Sequence, residues 1–285
     1  MNAIVFELFV IKNIKSLDCF CLKKPIFPRD FIYFLDFLNR RGYNERKTER
    51  RIFFMWNGKK KAVTFSFDDG VSQDRRLIEI LDRYGLKATF NINSGFFGGK
   101  AELIRNGVPV RHDKLTREEA RSVYAGHEIA AHTVHHPFLP KLSDSEVIME
   151  VETDRVALSL IFDREIVGMA YPCGGANHDK RVENLVKENT GCLYARTIES
   201  SGNFELPEDL YALNPTVYYI DTDEMFALGK QFLELETEEP KLFYIWGHSY
   251  ELDAWNFWDR FEEFCKMIGG KEDIFYGTNR EVLGL

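Results

Sequence analysis

The chain has few of the features that mark several large classes of protein. Its five cysteines, Cys19, Cys21, Cys173, Cys192 and Cys265, are scattered without the paired spacing of a zinc finger. An odd number of such cysteines predicts free thiols in a reducing compartment and argues against a disulfide framework. No Walker loop and no Gly-x-Gly-x-x-Gly turn follows a predicted strand, so the usual sign of nucleotide binding is missing.

Positive charge is also in short supply. The 285 residues include 37 Lys and Arg against 45 Asp and Glu, which gives a formal charge of −8. A general nucleic-acid binder needs a basic face to replace the counterions of phosphate, so we expect no nucleic-acid partner. No apolar run is long enough to cross a bilayer, and Ile4–Ile11 lacks preceding cations and a cleavage site. These absences predict a cytoplasmic protein without a membrane partner.

The first 54 residues differ from the rest in charge. They carry 11 basic and 6 acidic residues, whereas the remaining 231 carry 26 and 39. The segment contains no histidine, so every candidate for metal binding or acid–base chemistry lies after it. We therefore predict a peripheral N-terminal extension over 1–54 and a catalytic domain over 55–285. Met55 immediately precedes the patterned region, so the alternative hypothesis is that residues 1–54 do not belong to the native domain.

From Lys61 onward, short β-type runs alternate with helical ones. The run Ala62–Phe67 is followed by a helical pattern over Gln73–Tyr84 that stops at Gly85. Ser143 and Glu146 have the spacing of a capping box and predict a helix that ends near Leu160. The further strand candidates are 88–93, 128–132, 166–171, 192–196, 217–220 and 242–246. Strands that alternate with helices predict an α/β fold with a mostly parallel sheet, and this many units favour a barrel.

Polar residues follow the ends of two of these strands. Asp68 and Asp69 stand at the tip of the first strand, where barrel enzymes gather catalytic groups. Because adjacent residues at a strand end point in different directions, one carboxylate can bind a cation while the other handles a proton. The alternative is a helix N-cap followed by a turn aspartate.

A histidine cluster follows the strand at 128–132. His132 and His136 are four residues apart, so one turn can bring both imidazoles to one ion whose shell an aspartate extends. His135 lies between them and should point elsewhere. We expect structural or surface roles for His112 and His127.

Together these residues resemble a known family. Thr64–Gly70 is similar to the first motif of the polysaccharide deacetylases, the NodB-homology domain of carbohydrate esterase family 4, and His132–Pro137 is similar to the second. The resemblance covers about residues 58–276 and implies a distorted (β/α) barrel, NodB-like, that binds one divalent ion, with zinc expected. It implies that Asp69, His132 and His136 are the metal ligands and that Asp68 is the catalytic base.

Two later segments resemble the remaining motifs more loosely. In Ala170–Gly174, Cys173 replaces the usual aromatic residue and the preceding Arg is absent. The resemblance places Tyr171 and the backbone N–H of Cys173 at the substrate or oxyanion site. Arg196 is expected either to supply the missing guanidinium or to form a surface salt bridge. Leu242–Ser249 resembles the last motif, which implies that His248 is the catalytic acid and that Trp246 lines the acyl pocket or belongs to the core.

The resemblance implies a metal-dependent hydrolase that removes acetyl groups from N-acetylated sugars or polysaccharide fragments, so its partner is an acetylated carbohydrate. Two alternatives stay open. One is hydrolysis of another small amide or imide, and the other is a barrel that binds carbohydrate without turnover.

Overall fold

A computed structural model describes residues 56–285. The predicted N-terminal extension therefore lies outside the described residues. Ten strands are present in the described part, in chain order β1 (Lys61–Asp68), β2 (Ala88–Ile92), β3 (Glu102–Arg105), β4 (Val108–Arg111), β5 (Glu128–Ala131), β6 (Gly168–Ala170), β7 (Tyr194–Arg196), β8 (Val217–Tyr218), β9 (Lys241–Gly247) and β10 (Ile274–Tyr276). Eight of them form one parallel sheet in the order β7-β6-β5-β2-β1-β9-β8, and β10 pairs with the start of β1.

This sheet curls into a distorted (β/α) barrel, which confirms the predicted fold class. The segment between β7 and β8 spans the gap between the two sheet edges. The amide of Leu213 donates to the carbonyl of Ala195 (3.1 Å), and the amide of Thr216 donates to the carbonyl of Tyr244 (2.7 Å). At this gap the described residues form one isolated β-bridge, between Arg196 and Leu213, whereas a regular barrel has continuous pairing of two strands.

Eight α-helices connect the strands in this part of the chain. They are α1 (Asp74–Arg83), α2 (Arg117–Val123), α3 (Asp144–Phe162), α4 (Lys180–Asn189), α5 (Thr222–Glu234), α6 (Ser249–Ala254), α7 (Trp258–Ile268) and α8 (Asn279–Leu283). α1 and α3 agree with the predicted helices, and the amide of Ser143 donates to Glu146 (2.8 Å) as a capping box requires. α1 ends just before Gly85, whose φ of +67° suits glycine.

The sheet has its hydrophobic core on both faces. All eight residues of β1 are buried, as expected for a parallel strand that is covered on two sides. On the helix side, the ring of Phe65 packs edge-on against Phe261 and Phe264 of α7, with centroids 6.2 and 6.5 Å away. This packing holds β1 in place, so its last residue, Asp68, has a fixed position for a functional group.

One element that the sequence analysis did not assign is the antiparallel hairpin formed by β3 and β4. It turns at Asn106 and Gly107, whose φ angles are +50° and +72°. Asn-Gly is the strongest short-range sign of a tight hairpin, so this signal was present in the sequence. The hairpin packs through Leu103 and Val110 on Tyr250 of α6.

Within residues 56–285, no helix has both the length and the apolar character that crossing a bilayer requires.

Candidate metal centre and active site

The carboxyl ends of the parallel strands meet at one edge of the barrel and form a cavity of about 720 Å³. Each predicted site residue lies at or just after such an end, because parallel strands present their carboxyl ends on the same side. All nine predicted residues except Arg196 line the cavity, namely Asp68, Asp69, His132, His136, Tyr171, Cys173, Trp246 and His248. Arg196 lies directly behind Asp68.

Three side chains converge as a possible metal site. Asp69, His132 and His136 each offer one ligand atom, and these atoms all lie within 4.8 Å of one another. Nε2 of His136 is 3.8 Å from Oδ1 of Asp69, and the two imidazole centroids are 4.9 Å apart. Two segments 63 residues apart thus supply the donor set that zinc prefers.

Local contacts fix the tautomer and the charge of His132. Its Nδ1 lies 2.9 Å from the carbonyl oxygen of Ala170, which requires a proton on Nδ1 and leaves the lone pair of Nε2 for the cavity. Its backbone amide donates to Asp154 (2.8 Å). Burial lowers the pKa of His132 to about 4, so the ring is neutral at neutral pH, as a metal ligand must be.

His136 is aimed by an unusual turn. Thr133 and His136 have φ angles of +67° and +54°, and the amide of His136 donates to Oγ1 of Thr133 (3.1 Å). This left-handed turn bends the chain between His132 and His136. Both imidazoles therefore lie on the same side. His135 also lines the cavity but is not part of the ligand set, and its Nδ1 lies 2.8 Å from Glu150.

Asp69 is held by two cationic or polar partners that sequence analysis did not identify. Oδ2 lies 3.1 Å from Nε2 of His112, and Nζ of Lys114 donates to the backbone carbonyl of Asp69 (2.6 Å). Burial favours the neutral acid, but Lys114 and His112 outweigh it and hold the pKa of Asp69 well below its usual value. The expected structural or surface role for His112 therefore needs correction, since His112 lies in the cavity beside a proposed ligand. His112 directly follows β4, so its position beside Asp69 depends on the β3–β4 hairpin, which was not predicted.

The chain turns sharply just after this aspartate. Asp69 has a φ of +82° and Gly70 one of +62°. A Cβ atom at Gly70 would stand 2.7 Å from Cγ2 of Ile92, so only glycine fits the turn that follows the two aspartates.

Asp68 forms a buried ion pair with Arg196. One guanidinium nitrogen of Arg196 contacts both carboxylate oxygens, and Nδ2 of Asn91 donates to Oδ1 (2.7 Å). Burial would raise the pKa of Asp68, but the charges of Arg196 and His248 lower it overall. Arg196 is fully buried, so the surface salt bridge considered for it is not what the structure shows.

His248 faces Asp68 from the end of β9. Its Nε2 lies 3.9 Å from Oδ2 of Asp68, and its Nδ1 lies 3.2 Å from Oε2 of Glu251 as an ion-pair contact. Burial favours neutral imidazole, but Glu251, Asp68 and Asp69 raise the pKa of His248 to about 9. The ring is therefore protonated at neutral pH and can donate a proton.

Glu251 was not among the predicted site residues. This residue stands in the first turn of α6 and reaches back to the amide of His248 (3.3 Å), while the hydroxyl of Tyr218 donates to its other oxygen. The His-x-x-Glu spacing before a helix is a capping-box pattern and was the available signal.

The predicted substrate residues occupy three different environments. The amide of Cys173 donates toward Nε2 of His136 (3.5 Å), so it points toward the proposed ligand cluster. Tyr171 lines the cavity, and its hydroxyl donates to the carbonyl of Tyr211 (2.8 Å). Trp246 is 6% exposed, stacks on Tyr218 and lies beneath the guanidinium of Arg196 at 4.6 Å.

The family described as polysaccharide deacetylase matches residues 56–190. Residues 56–190 thus resemble a polysaccharide deacetylase domain. The matched residues include Asp68, Asp69, His132 and His136, whereas Arg196 and His248 lie beyond them.

Solved structures show similar folds. A protein from Mycobacterium smegmatis with a provisional assignment as a polysaccharide deacetylase is 14% identical, with a TM-score of 0.50 over 80% of this chain and 90% of that one. A family 4 carbohydrate esterase from Streptomyces lividans, solved with acetate, is 14% identical, with a TM-score of 0.48 over 77% and 93%. A pseudoenzyme of the same family from Bacillus anthracis is 16% identical, with a TM-score of 0.45 over 79% and 66%. At these identities the likeness concerns the fold alone.

Proposed function

We propose that this chain is a metal-dependent hydrolase that removes acetyl groups from N-acetylated sugars or their short polymers. The observation that carries the proposal is the convergence of three ligand atoms within 4.8 Å beside an ionised Asp68 and a protonated His248. A ligand set, a base and an acid thus share one cavity, which is what amide hydrolysis with a metal requires.

The donor set suits a divalent ion, with zinc expected. Asp69, His132 and His136 would hold it, because one carboxylate and two neutral imidazoles leave further coordination positions open. A bound divalent ion supplies Lewis acidity, which strengthens water as an acid and polarises an acyl carbonyl. His132 meets the condition of neutrality, since its pKa of about 4 keeps it unprotonated near pH 7.

Asp68 acts as the general base in this proposal. Its low pKa keeps it ionised, and Arg196 and Asn91 fix the direction of its carboxylate. It accepts a proton from the water that attacks the acetyl carbonyl. Arg196 thus takes the place of the arginine that is missing before Tyr171, reaching Asp68 from a different strand.

Cys173 and His248 complete the reaction. The amide of Cys173 points toward the ligand cluster and can donate to the negative oxygen of the tetrahedral intermediate, a role that needs only a backbone N–H. His248 gives its proton to the departing amine, which prevents the amine from re-forming the bond. Glu251 keeps that proton on His248 before transfer. The products are acetate and a free amino sugar.

The test is acetate release from chitooligosaccharides, measured together with the metal content of the purified protein. We expect bound divalent metal and acetate release that stops when a chelator removes the metal and returns when zinc is added. O-acetylated xylan serves as the comparison substrate and should release little acetate. Bound metal without acetate from either substrate would overturn the sugar assignment in favour of another amide or imide. Absence of metal would favour a barrel that only binds carbohydrate.

A further inference from the structure

A cationic side chain at the mouth of the cavity has no assigned role. Arg105 is the last residue of β3, and with Leu103 it brings the hairpin into the cavity lining. Its guanidinium carbon lies 5.8 Å from the centre of the Tyr250 ring, Nη1 donates to the neighbouring carbonyl of Ile104 (3.2 Å), and the guanidinium also interacts with the hydroxyl of Tyr250. Among the described residues, Arg105 forms no ion pair, although it is exposed and charged.

The other charged groups of the cavity are already matched. Asp68 is paired with Arg196, Asp69 contacts Lys114, and Glu251 contacts His248. Arg105 is therefore a cation in excess of these pairs. A divalent ion held by a single carboxylate would add further positive charge. The cavity thus becomes locally positive in a chain whose net charge is −8, so attraction for an anion would come from this site and not from the whole surface.

Arg105 is also held in place. Tyr250 is 2% exposed and packs edge-on against the ring of His112, with centroids 4.9 Å apart. His112 in turn lies 3.1 Å from Asp69. Only two ring contacts therefore separate the guanidinium from the proposed metal ligand. Arg105 and the proposed metal ligands line the same cavity, so the guanidinium can contact a substrate whose acetamide lies at the ligands.

We propose that Arg105 recognises an anionic group on the substrate, so the preferred substrates are acidic amino sugars that carry a carboxylate or a phosphate. This inference rests on the proposed deacetylase function and names its substrate class. Arginine is suited to the role because its planar fork binds either anion through two parallel hydrogen bonds.

The experiment measures binding of reaction products, which cannot be hydrolysed further. Glucosamine, glucosamine 6-phosphate and muramic acid are titrated calorimetrically into the zinc-loaded full chain. We expect at least one acidic sugar to bind on the order of tenfold more tightly than glucosamine, as for a charge-assisted hydrogen bond. The acidic sugar that binds more tightly identifies the anion as phosphate or carboxylate.

Variants separate Arg105 from the metal as the source of this preference. Arg105→Ala should abolish the difference between acidic and neutral sugars, and Arg105→Lys should retain part of it. Arg111→Ala is the matched control, because Arg111 lies on the same hairpin, is 81% exposed and is not part of the cavity lining. It should bind like the wild type.

Equal affinity for acidic and neutral sugars, no binding of the acidic ones, or a preference that survives Arg105→Ala would each overturn the inference. The outcome does not depend on turnover. Failure of acetate release would instead count against the proposed function, so the two failures are distinguishable.

Discussion

Asp68 and Asp69 are neighbours in the chain, yet they are held by different partners. Arg196 and Asn91 contact the first, whereas His112 and Lys114 contact the second. Asp68 is the last residue of β1, whereas Asp69 already has a left-handed backbone with a φ of +82°. One aspartate can therefore serve as a base while the other serves as a ligand.

Asp68→Asn tests the division of labour. We expect acetate release to fall about 10²- to 10⁴-fold, the range for loss of a general base. Zinc content should be unchanged, because Asp69, His132 and His136 are intact. Since the variant leaves Arg196 buried without its counter-charge, a melting curve must confirm that the protein is folded. An undiminished rate in folded, zinc-loaded protein would refute the assignment.

Glu251→Gln tests whether Glu251 keeps His248 protonated. The carboxylate raises the pKa of His248, so its neutral replacement should lower that pKa. As the acid must carry its proton, the alkaline limb of the pH–rate profile should move to lower pH. Glu150→Gln is the matched control, because Glu150 contacts His135 outside the acid–base set. If both variants show the wild-type alkaline limb, Glu251 has no such role.

At the scale of elements, the strand ends could be predicted and the hairpin was not. Alternation of β-type runs with helical patterns identified seven strands of the sheet, and parallel strands necessarily bring their carboxyl ends together. Asp68, His132 and His248 could therefore be placed on one edge. The contacts of His112, Lys114 and Arg105 could not be placed, because they depend on where the β3–β4 hairpin packs against α6.

Asp74 joins three of these elements and predicts a pH dependence of stability. Asp74 is the first residue of α1. Its carboxylate accepts hydrogen bonds from the hydroxyl of Tyr124, which follows α2, and from the hydroxyl of Ser249 in α6, both at 2.5 Å. Burial raises its pKa from 3.8 to about 7. Between these values the folded state binds more protons than the unfolded state, so its contribution to stability is present at low pH and is lost as pH rises toward 7.

Asp74→Asn should remove this contribution, because asparagine does not ionise and can still bond both hydroxyls. We expect the free energy of unfolding to fall less steeply between pH 4 and pH 7 than in the wild type. One proton accounts for at most about 1.4 kcal/mol per pH unit. Urea titrations at several pH values measure the slope. An identical slope in both proteins would mean that Asp74 is not protonated in the folded state.

At the scale of the whole molecule, long-range approach limited what the sequence could predict. Arg196 and Asp68 are 128 residues apart, and only the curl of the sheet brings the guanidinium behind the carboxylate. Glu251, by contrast, is local to His248 and had a recognisable spacing. Tyr171 was assigned by its position in a motif, but its hydroxyl is engaged by a carbonyl from another segment.

Removal of residues 1–54 tests the proposed domain boundary. The family match begins at residue 56, and all proposed site residues lie after it. A chain that begins at Met55 should therefore bind zinc and release acetate at rates within about twofold of the full chain, since it keeps every proposed site residue. Loss of zinc binding on truncation would show that the extension belongs to the functional unit.

The most direct test of the central claim is the number of zinc ions bound per chain in the wild type, His132→Ala and His135→Ala. His132 and His135 are three residues apart in the chain, but of the two only His132 offers a ligand atom to the proposed site. We predict one bound ion in the wild type and in His135→Ala, and none in His132→Ala at the same zinc concentration. Full zinc occupancy in folded His132→Ala would contradict the proposed metal centre and the hydrolase built on it.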